Sequence, residues 1–161
     1  MIASTHLAIG AVSGMIVGRI NKPKVDIWNL MAGALIAGIA SHIILDAIPH
    51  AEYLDYIINR TLLFNIVVLI ELIAVSLIVL NLKTSSDVPL LMTLGLIGAA
   101  IPDGIVTCGK FLDWGWMINL GNLLHLFHAN QHSPLEVSFS GQIVLAAIVL
   151  YSLRIYARPH T

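Results

Sequence analysis

The sequence predicts an all-α integral membrane protein, a helical bundle with about five transmembrane helices and a histidine-rich external loop. Of its 161 residues, 58% are hydrophobic and only 11% are charged. Soluble domains carry about 25% charged residues, so a soluble fold with so few charges could not cover its surface. The length suits one compact domain, and we expect residues 1–161 to form a single helical membrane domain.

Five apolar stretches define the predicted helices. The second and third reach the roughly 20 residues that a helix needs to cross the hydrocarbon core of a bilayer. The other three are shorter, and we expect them to span a locally thinned bilayer or to extend into flanking polar turns. In chain order the stretches are Ile2–Val17, Ile27–Ile48, Leu62–Leu82, Val88–Ile101 and Ile143–Tyr156.

Small residues recur at every fourth position in several of these stretches. Such spacing lets two helices approach closely in a membrane, so we expect the first, second and fourth helices to pack tightly. The small residues are Gly10, Gly14 and Gly18 in the first stretch, Gly33, Ala37 and Ser41 in the second, and Gly95, Gly98, Ala99 and Ala100 in the fourth.

The segment Asp103–Ser140 is too polar to span a membrane, and we interpret it as the external loop. The tripeptide Pro102–Gly104 is typical of a turn, which would end the fourth helix. Trp114 and Trp116 suit the membrane–water interface. Within the same segment, Leu120–Phe127 is predicted to form a short helix at the surface.

The basic residues set the predicted orientation. With the N-terminus outside and the helices threaded in order, six of the eight Lys and Arg residues fall on the cytoplasmic side. Because cytoplasmic loops carry an excess of Lys and Arg, we expect a cell-membrane protein with a non-cytoplasmic N-terminus and external loop and a cytoplasmic C-terminus. The six are Arg19, Lys22, Lys24, Lys83, Arg154 and Arg158, and the two outside are Arg60 and Lys110.

The end of the second helix holds the strongest candidate for a site. His42 and Asp46 are four residues apart and therefore share one helix face. His50 follows Pro49 at the mouth of this helix. Imidazole nitrogen and carboxylate oxygen are suitable ligands for zinc, iron or manganese. Ionisable groups inside membrane segments are costly and usually functional, although a hydrogen-bonded pair that fixes helix packing is the alternative interpretation.

Further candidates fall at the same predicted face of the membrane. His6 opens the first helix and Asp103 ends the fourth. His125, His128 and His132 are spaced by three and four residues, which places them on one face if that segment is helical. Every histidine except the one in the C-terminal tail thus lies on the external side with Asp46 and Asp103, and we predict that this set forms a metal centre.

Other classes of function find less support. The net charge of −1 leaves no basic patch for nucleic acid. The single cysteine, Cys108, excludes an internal disulfide and a Cys-rich zinc site. Glu71 lies near the centre of the third stretch, where an ionisable group is a functional candidate. It could be a protonated packing partner or a group that supports the metal ligands.

Four motifs resemble the YdjM-like family of membrane-bound metal-dependent hydrolases. They are Thr5-His6, the Ser-His-x-x-x-Asp pattern of 41–46, Ile101-Pro102-Asp103 and the His-x-x-x-His-Ser pattern of 128–133. The Ser-His-x-x-x-Asp motif comes second here, whereas in that family it follows the others. The stretch from His42 to His50 is also, more faintly, similar to zinc-dependent phospholipases C and related single-strand nucleases. Both resemblances imply a metal-dependent hydrolase that acts on phosphoesters at a membrane surface.

We therefore hypothesise a hydrolase that uses one or two divalent ions, zinc with manganese or iron as alternatives, to lower the pKa of bound water. The expected substrate is a small-molecule or lipid phosphoester, among membrane lipids and without nucleic acid. The rival hypotheses are a non-enzymatic protein that binds metal for structure, storage or transport, and haem binding through two facing histidines. The predicted metal ligands are His6, His42, Asp46, Asp103, His128 and His132, and the predicted catalytic groups are Asp103, His125 and His50.

Overall fold

A computed structural model describes residues 3–21, 25–48, 61–82, 87–125 and 135–156 of the chain. All regular structure in these ranges is helical, as the sequence predicts. The six helices are α1 (Ala3–Asn21), α2 (Ile27–Asp46), α3 (Thr61–Leu80), α4 (Val88–Leu112), α5 (Gly115–Leu124) and α6 (Leu135–Tyr156).

Two of these helices, α2 and α4, are long and apolar enough to cross a membrane, by length and composition. Within α3 and α6, Leu69–Leu80 and Gln142–Leu153 form shorter apolar helical segments. By this criterion the described part of the chain holds two candidate spans rather than the five that the sequence predicts.

The fourth helix does not end at Pro102–Gly104. It runs for 25 residues to Leu112, with Pro102 inside it. A proline inside a helix removes one backbone hydrogen bond without necessarily ending the helix. Here the extension is packed against α5, where a side chain at Gly109 would meet Ile118 and one at Gly121 would meet Val106. The predicted turn is therefore wrong, and Asp103 lies within α4.

The predicted external loop is also largely helical where the structure describes it. The end of α4, all of α5 and the start of α6 fall within 103–140. Asp113 makes the corner between α4 and α5 with a left-handed backbone, φ 55°, a conformation that Asp tolerates better than most residues. The backbone N–H of Trp114 then donates to the Gly109 carbonyl at 2.8 Å, which closes the end of α4.

Tight packing of α1 and α2 against α4 confirms the prediction from small residues. A side chain at Gly14 would collide with the Leu91 carbonyl, and one at Gly38 with the Gly95 carbonyl. A Cβ atom at Gly95 would in turn meet the backbone of Gly10 and Gly14. Gly95 thus lies where α4 touches both partners, and glycine is required because backbone meets backbone.

The glycine contacts also fix the relative directions of the three helices. Helix α1 runs antiparallel to α4, since Gly10 faces Gly95 and Gly14 faces Leu91. Helix α2 runs parallel to α4, since Ala34 packs with Leu91 and Gly38 faces Gly95. The N-terminal end of α1 and the C-terminal end of α2 therefore meet beside the second half of α4.

The hydrophobic core is formed by residues of α1, α3, α4 and α6. Its buried members are Leu7, Ala11 and Met15 from α1, Val75 and Val79 from α3, Val88, Met92 and Leu96 from α4, and Leu153 from α6.

Candidate metal centre

The candidate site begins at the C-terminal end of the buried face of α2, which carries His42 and Asp46. Gly38 and Ala34 lie one and two turns before His42 on this face, and Asp46 lies one turn after it. His42 and Asp46 are only 1% and 3% exposed. The close approach at Gly38 brings the α4 backbone near enough for His42 Nδ1 to contact the Ala99 carbonyl at 2.8 Å. Since a carbonyl oxygen only accepts hydrogen bonds, Nδ1 carries the proton and the Nε2 lone pair of neutral His42 faces the site.

His125 reaches the site from the end of α5. Its Nδ1 donates to the Gly121 carbonyl at 2.8 Å, within the last turn of that helix. The same reasoning therefore assigns the Nδ1 proton and directs Nε2 away from its own helix. The Nε2 atoms of His42 and His125 lie 3.2 Å apart.

Two carboxylates lie beside these two nitrogen atoms. Asp46 Oδ2 lies 3.3 Å from His42 Nε2 and 3.5 Å from His125 Nε2. Asp103 Oδ1 lies 3.8 Å from His42 Nε2 and 3.1 Å from His125 Nε2. In a tetrahedral zinc site with bonds of 2.0 to 2.2 Å, ligand atoms are about 3.3 to 3.6 Å apart. The distances scatter around that range, and the atoms of His42, Asp103 and His125 form a group that could hold one small divalent ion, with Asp46 beside it.

His6 adds a fifth group on the far side of Asp46. Its Nε2 lies 3.4 Å from Asp46 Oδ1, and its ring lies 4.2 Å from the ring of His42. His6 is 4% exposed, and its Nδ1 has no hydrogen-bond partner within the described part of the chain. The atoms of His6, His42 and Asp46 form a second group that could hold an ion. Asp46 Oδ1 thus faces His6, whereas Asp46 Oδ2 faces His42 and His125.

The centre has a closed side and an open side. The side chains of His6, His42 and Asp46 are 6%, 1% and 5% exposed, whereas that of Asp103 is 60% exposed. His125 lies between these extremes at 21%. Among the described residues, water or a substrate would therefore reach the group past Asp103 and His125.

The electrostatics of the group favour a cation. The Asp103 carboxylate, which accepts a hydrogen bond from His125 Nε2, raises the pKa of His125 from 6.5 to about 9, although burial opposes the rise. Without a metal ion, His125 is therefore protonated at neutral pH. Its Nε2 proton lies between the carboxylates and the Nε2 lone pair of His42. A bound metal ion would take the position of this His125 Nε2 proton.

Glu71 lies in a supporting position. Its Oε2 accepts a hydrogen bond of 2.7 Å from the backbone N–H of Ser4, in the first turn of α1. A carboxylate at a helix N-terminus satisfies a free N–H group and interacts favourably with the helix dipole. His6 follows Ser4 by two residues, so Glu71 holds the segment that carries His6.

The structure brings together five of the residues that the sequence singles out. His6, His42, Asp46, Asp103 and His125 converge at one end of the bundle. Placed among potential ligands, His125 is better described as a ligand than as a separate proton shuttle.

The predicted ligands His128 and His132 and the predicted catalytic His50 lie outside the described residues. The carbonyls of Ala99 and Gly121, which orient both imidazoles, were not predicted. Only the small-residue spacing near Ala99 hinted at such a close backbone.

Comparison with known proteins returned no matching family model, no similar curated protein and no similar solved structure. The function is therefore argued from the site itself.

Proposed function

We propose that the chain is a membrane-embedded, metal-dependent hydrolase that acts on phosphoesters. The observation that carries the proposal is the group formed by His42, Asp103 and His125, with the Asp46 carboxylate beside it. It combines spacing suited to a small divalent ion with one exposed side. A purely structural site is closed by its ligands, whereas a catalytic site keeps a position open for water and substrate.

Zinc is the proposed ion, because imidazole nitrogen and carboxylate oxygen are among its usual ligands and three protein ligands would leave a fourth position for water. Manganese and iron accept the same ligands and remain alternatives. When bound, such an ion supplies a Lewis acid and lowers the pKa of a water molecule toward neutrality. The proposal includes a second ion, for which His6 and Asp46 would be ligands. Metal analysis would count the ions bound per chain.

The protein groups have distinct proposed tasks. His42 and Asp46, both buried, fix the position of the ion. Asp103 faces the open side, where it completes the ligand set and takes the proton that water loses. In the reaction the water oxygen bonds to phosphorus and the bond to the leaving oxygen breaks. The leaving oxygen then takes up a proton, which Asp103 returns.

Sequence motifs favour hydrolysis over the alternatives. The motifs that include His6, Asp46 and Asp103 resemble those of the YdjM-like membrane-bound hydrolases, which supports the same reaction class. Haem binding between His42 and His125 finds no support in the described part of the chain, because the 3.2 Å between their Nε2 atoms leaves no space for a porphyrin. A structural metal is the remaining rival, favoured by the burial of His42 and Asp46.

Membrane placement is part of the proposal. Large apolar side chains remain exposed on the candidate spans, such as Trp28, Ile36 and Ile44 of α2, at 72%, 64% and 66%. A soluble monomer rarely exposes so much apolar surface. We place the site at the non-cytoplasmic face, with the C-terminus cytoplasmic, because this puts most basic residues inside. A reporter fused to the C-terminus would test the orientation, and a non-cytoplasmic C-terminus would contradict it.

The function is tested with protein purified in detergent, stripped by a chelator and reloaded with Zn²⁺ or Mn²⁺. We expect hydrolysis of bis(p-nitrophenyl) phosphate that a chelator stops. Asp103→Asn should retain the fold and lose turnover. If wild type and Asp103→Asn hydrolyse the ester at equal rates that a chelator does not change, the activity belongs to a contaminant. Metal bound at full occupancy without turnover of any phosphoester would favour the structural-metal alternative.

A further inference from the structure

The outer face of α5 is apolar and uncovered within the described part of the chain. Trp116, Leu120 and Leu123 follow one another at helical spacing and are 64%, 40% and 57% exposed. No residue of α5 is charged. The inner face is packed against α4 through Gly109 and Gly121. An exposed apolar surface of this kind is unusual on a soluble monomer and marks contact with a membrane or another protein.

The apolar surface extends across the corner onto α4. Phe111 is 88% exposed and Trp114 is 49% exposed. The rings of Trp114 and Trp116 stack with their centroids 6.2 Å apart. Tryptophan is enriched where a membrane protein leaves the hydrocarbon core. We call Phe111, Trp114, Trp116, Leu120 and Leu123 the α4–α5 surface.

This surface continues the exposed side of a candidate span. On α4, the exposed residues Leu90, Ile97 and Phe111 are separated by multiples of seven residues, so they lie along one side of the helix. A bilayer that covers Leu90 and Ile97 of this candidate span would meet the α4–α5 surface at its edge. This continuity favours lipid as the occupant of the surface over a second protein.

The open side of the metal centre belongs to the same two helices. His125 follows the last residue of α5, two residues after Leu123. Asp103 lies on α4 one turn before Val106, which packs against Gly121 of α5. A molecule that lies on the α4–α5 surface is therefore close to the exposed carboxylate of the site.

We propose that the α4–α5 surface contacts the bilayer and delivers an amphiphilic phosphoester from it, with the apolar chains on this surface and the phosphate at Asp103 and His125. The lipid contact stands on the apolar surface alone. The identity of the substrate rests on the proposed hydrolase function. The two parts therefore need separate measurements.

The first measurement tests lipid contact without any use of activity. A Trp28→Phe background leaves Trp114 and Trp116 as the fluorescent residues of protein reconstituted into vesicles. Lipids brominated near the headgroup should quench them about twofold more than lipids brominated at the chain ends. Quenching by aqueous iodide with none by brominated lipid would overturn the proposal. Loss of lipid quenching at high protein density would overturn it too, because a second copy would then cover the surface.

The second measurement compares a long-chain lipid phosphoester with the soluble bis(p-nitrophenyl) phosphate. Leu120→Asn combined with Leu123→Asn should lower kcat/KM for the lipid about tenfold or more, because each leucine loses apolar contact with the chains. The rate on the soluble ester should stay unchanged. The matched control is Ile16→Asn with Ile20→Asn, which alters two exposed residues of α1 at 45% and 73% exposure, and neither rate should change.

The outcomes separate the two proposals. If the wild type hydrolyses neither ester, the hydrolase proposal fails, and quenching still decides lipid contact. If the leucine variant loses both rates equally, α5 only supports His125 and the substrate proposal is wrong. If the variant keeps its full rate on the lipid, the surface does not deliver the substrate.

Discussion

The Nε2 atoms of His42 and His125 lie 3.2 Å apart although each ring already donates its Nδ1 proton to a backbone carbonyl. If both rings were neutral, two lone pairs would face each other beside two carboxylates. A positive charge between them removes this repulsion, and a proton on one of the two rings or a metal ion would supply it. This relationship underlies the predictions for metal binding and for pH.

Removing a buried ligand should abolish most metal binding. We expect His42→Ala and Asp46→Asn each to weaken zinc affinity by more than about 100-fold. A change to a group that only orients a ligand costs up to about 100-fold, and loss of the ligand itself should cost more. Mass spectrometry of the metal content and competition with a chelator dye would measure it.

Two controls accompany that measurement. Ser41→Ala alters the buried neighbour of His42, whose hydroxyl donates to the Gly38 carbonyl at 2.7 Å, without removing a ligand. His160→Ala alters the C-terminal tail. Both should keep full metal content. If His42→Ala and Asp46→Asn also keep it and lose only thermal stability, these residues serve helix packing instead.

Metal affinity should rise with pH up to about pH 9. The raised pKa of His125, about 9, means that an ion bound by its Nε2 must displace a proton below that pH. Affinity should then fall about tenfold for each pH unit below 9. Calorimetry in buffers of different ionisation enthalpy should detect nearly one proton released at pH 7.5 and almost none above pH 9.

The variant Asp103→Asn provides the control for this pH dependence. Without the carboxylate that accepts its hydrogen bond, His125 should return toward its ordinary pKa. In this variant, proton release at pH 7.5 should therefore shrink. An unchanged release would mean that the displaced proton belongs to another group.

The raised pKa of His125 also sets the stability of the metal-free protein. A group with a raised pKa stabilises the fold fully below its unfolded value of 6.5, and this contribution is lost as the pH rises through about 9. Metal-free wild type should therefore lose thermal stability between pH 6.5 and 9, and His125→Gln should lose less over that window. A steeper loss in the variant would contradict the assignment.

Glu71 should matter for the start of α1 rather than for chemistry. Glu71→Gln keeps an oxygen for the Ser4 N–H but loses the charge at the helix N-terminus, at a cost of about 0.3 to 1 kcal/mol. Glu71→Leu also removes the acceptor and should cost about 1 to 3 kcal/mol. Thermal unfolding in detergent should rank wild type, Gln and Leu in that order. A leucine variant more stable than the wild type would show that burial of the carboxylate costs more than its contact gives.

Gly95 should tolerate no side chain. Gly95→Ala would place a methyl group against the backbone of Gly10 and Gly14, forcing α1 from α4 at a cost of about 1 to 3 kcal/mol. The matched control is Gly104→Ala in the same helix, where nothing lies within 4 Å of the new methyl group. That control should be neutral or should stabilise α4 by about 0.5 to 1 kcal/mol. Equal unfolding temperatures for the two variants would mean that α1 and α4 are not held at Gly95.

Much of this arrangement followed from sequence patterns, and the exceptions have physical causes. The spacing of His42 and Asp46 and the threading of the helices were enough to predict that His6 and Asp103 would join them. The continuation of α4 past Pro102 was not predictable, because it depends on packing by α5. The orientation of both imidazoles depends on the Ala99 and Gly121 carbonyls, and backbone carbonyls carry no residue-specific signal.

The order in which the ligands occur along the chain has a consequence for biosynthesis. His6, His42 and Asp46 leave the ribosome early, whereas Asp103 and His125 follow only after α4 and α5 have been translated. Until then the nascent chain has at most the smaller, buried group of ligands, with neither the Ala99 carbonyl to orient His42 nor an open side. The group formed by His42, Asp103 and His125 can therefore be complete only when most of the chain has been translated.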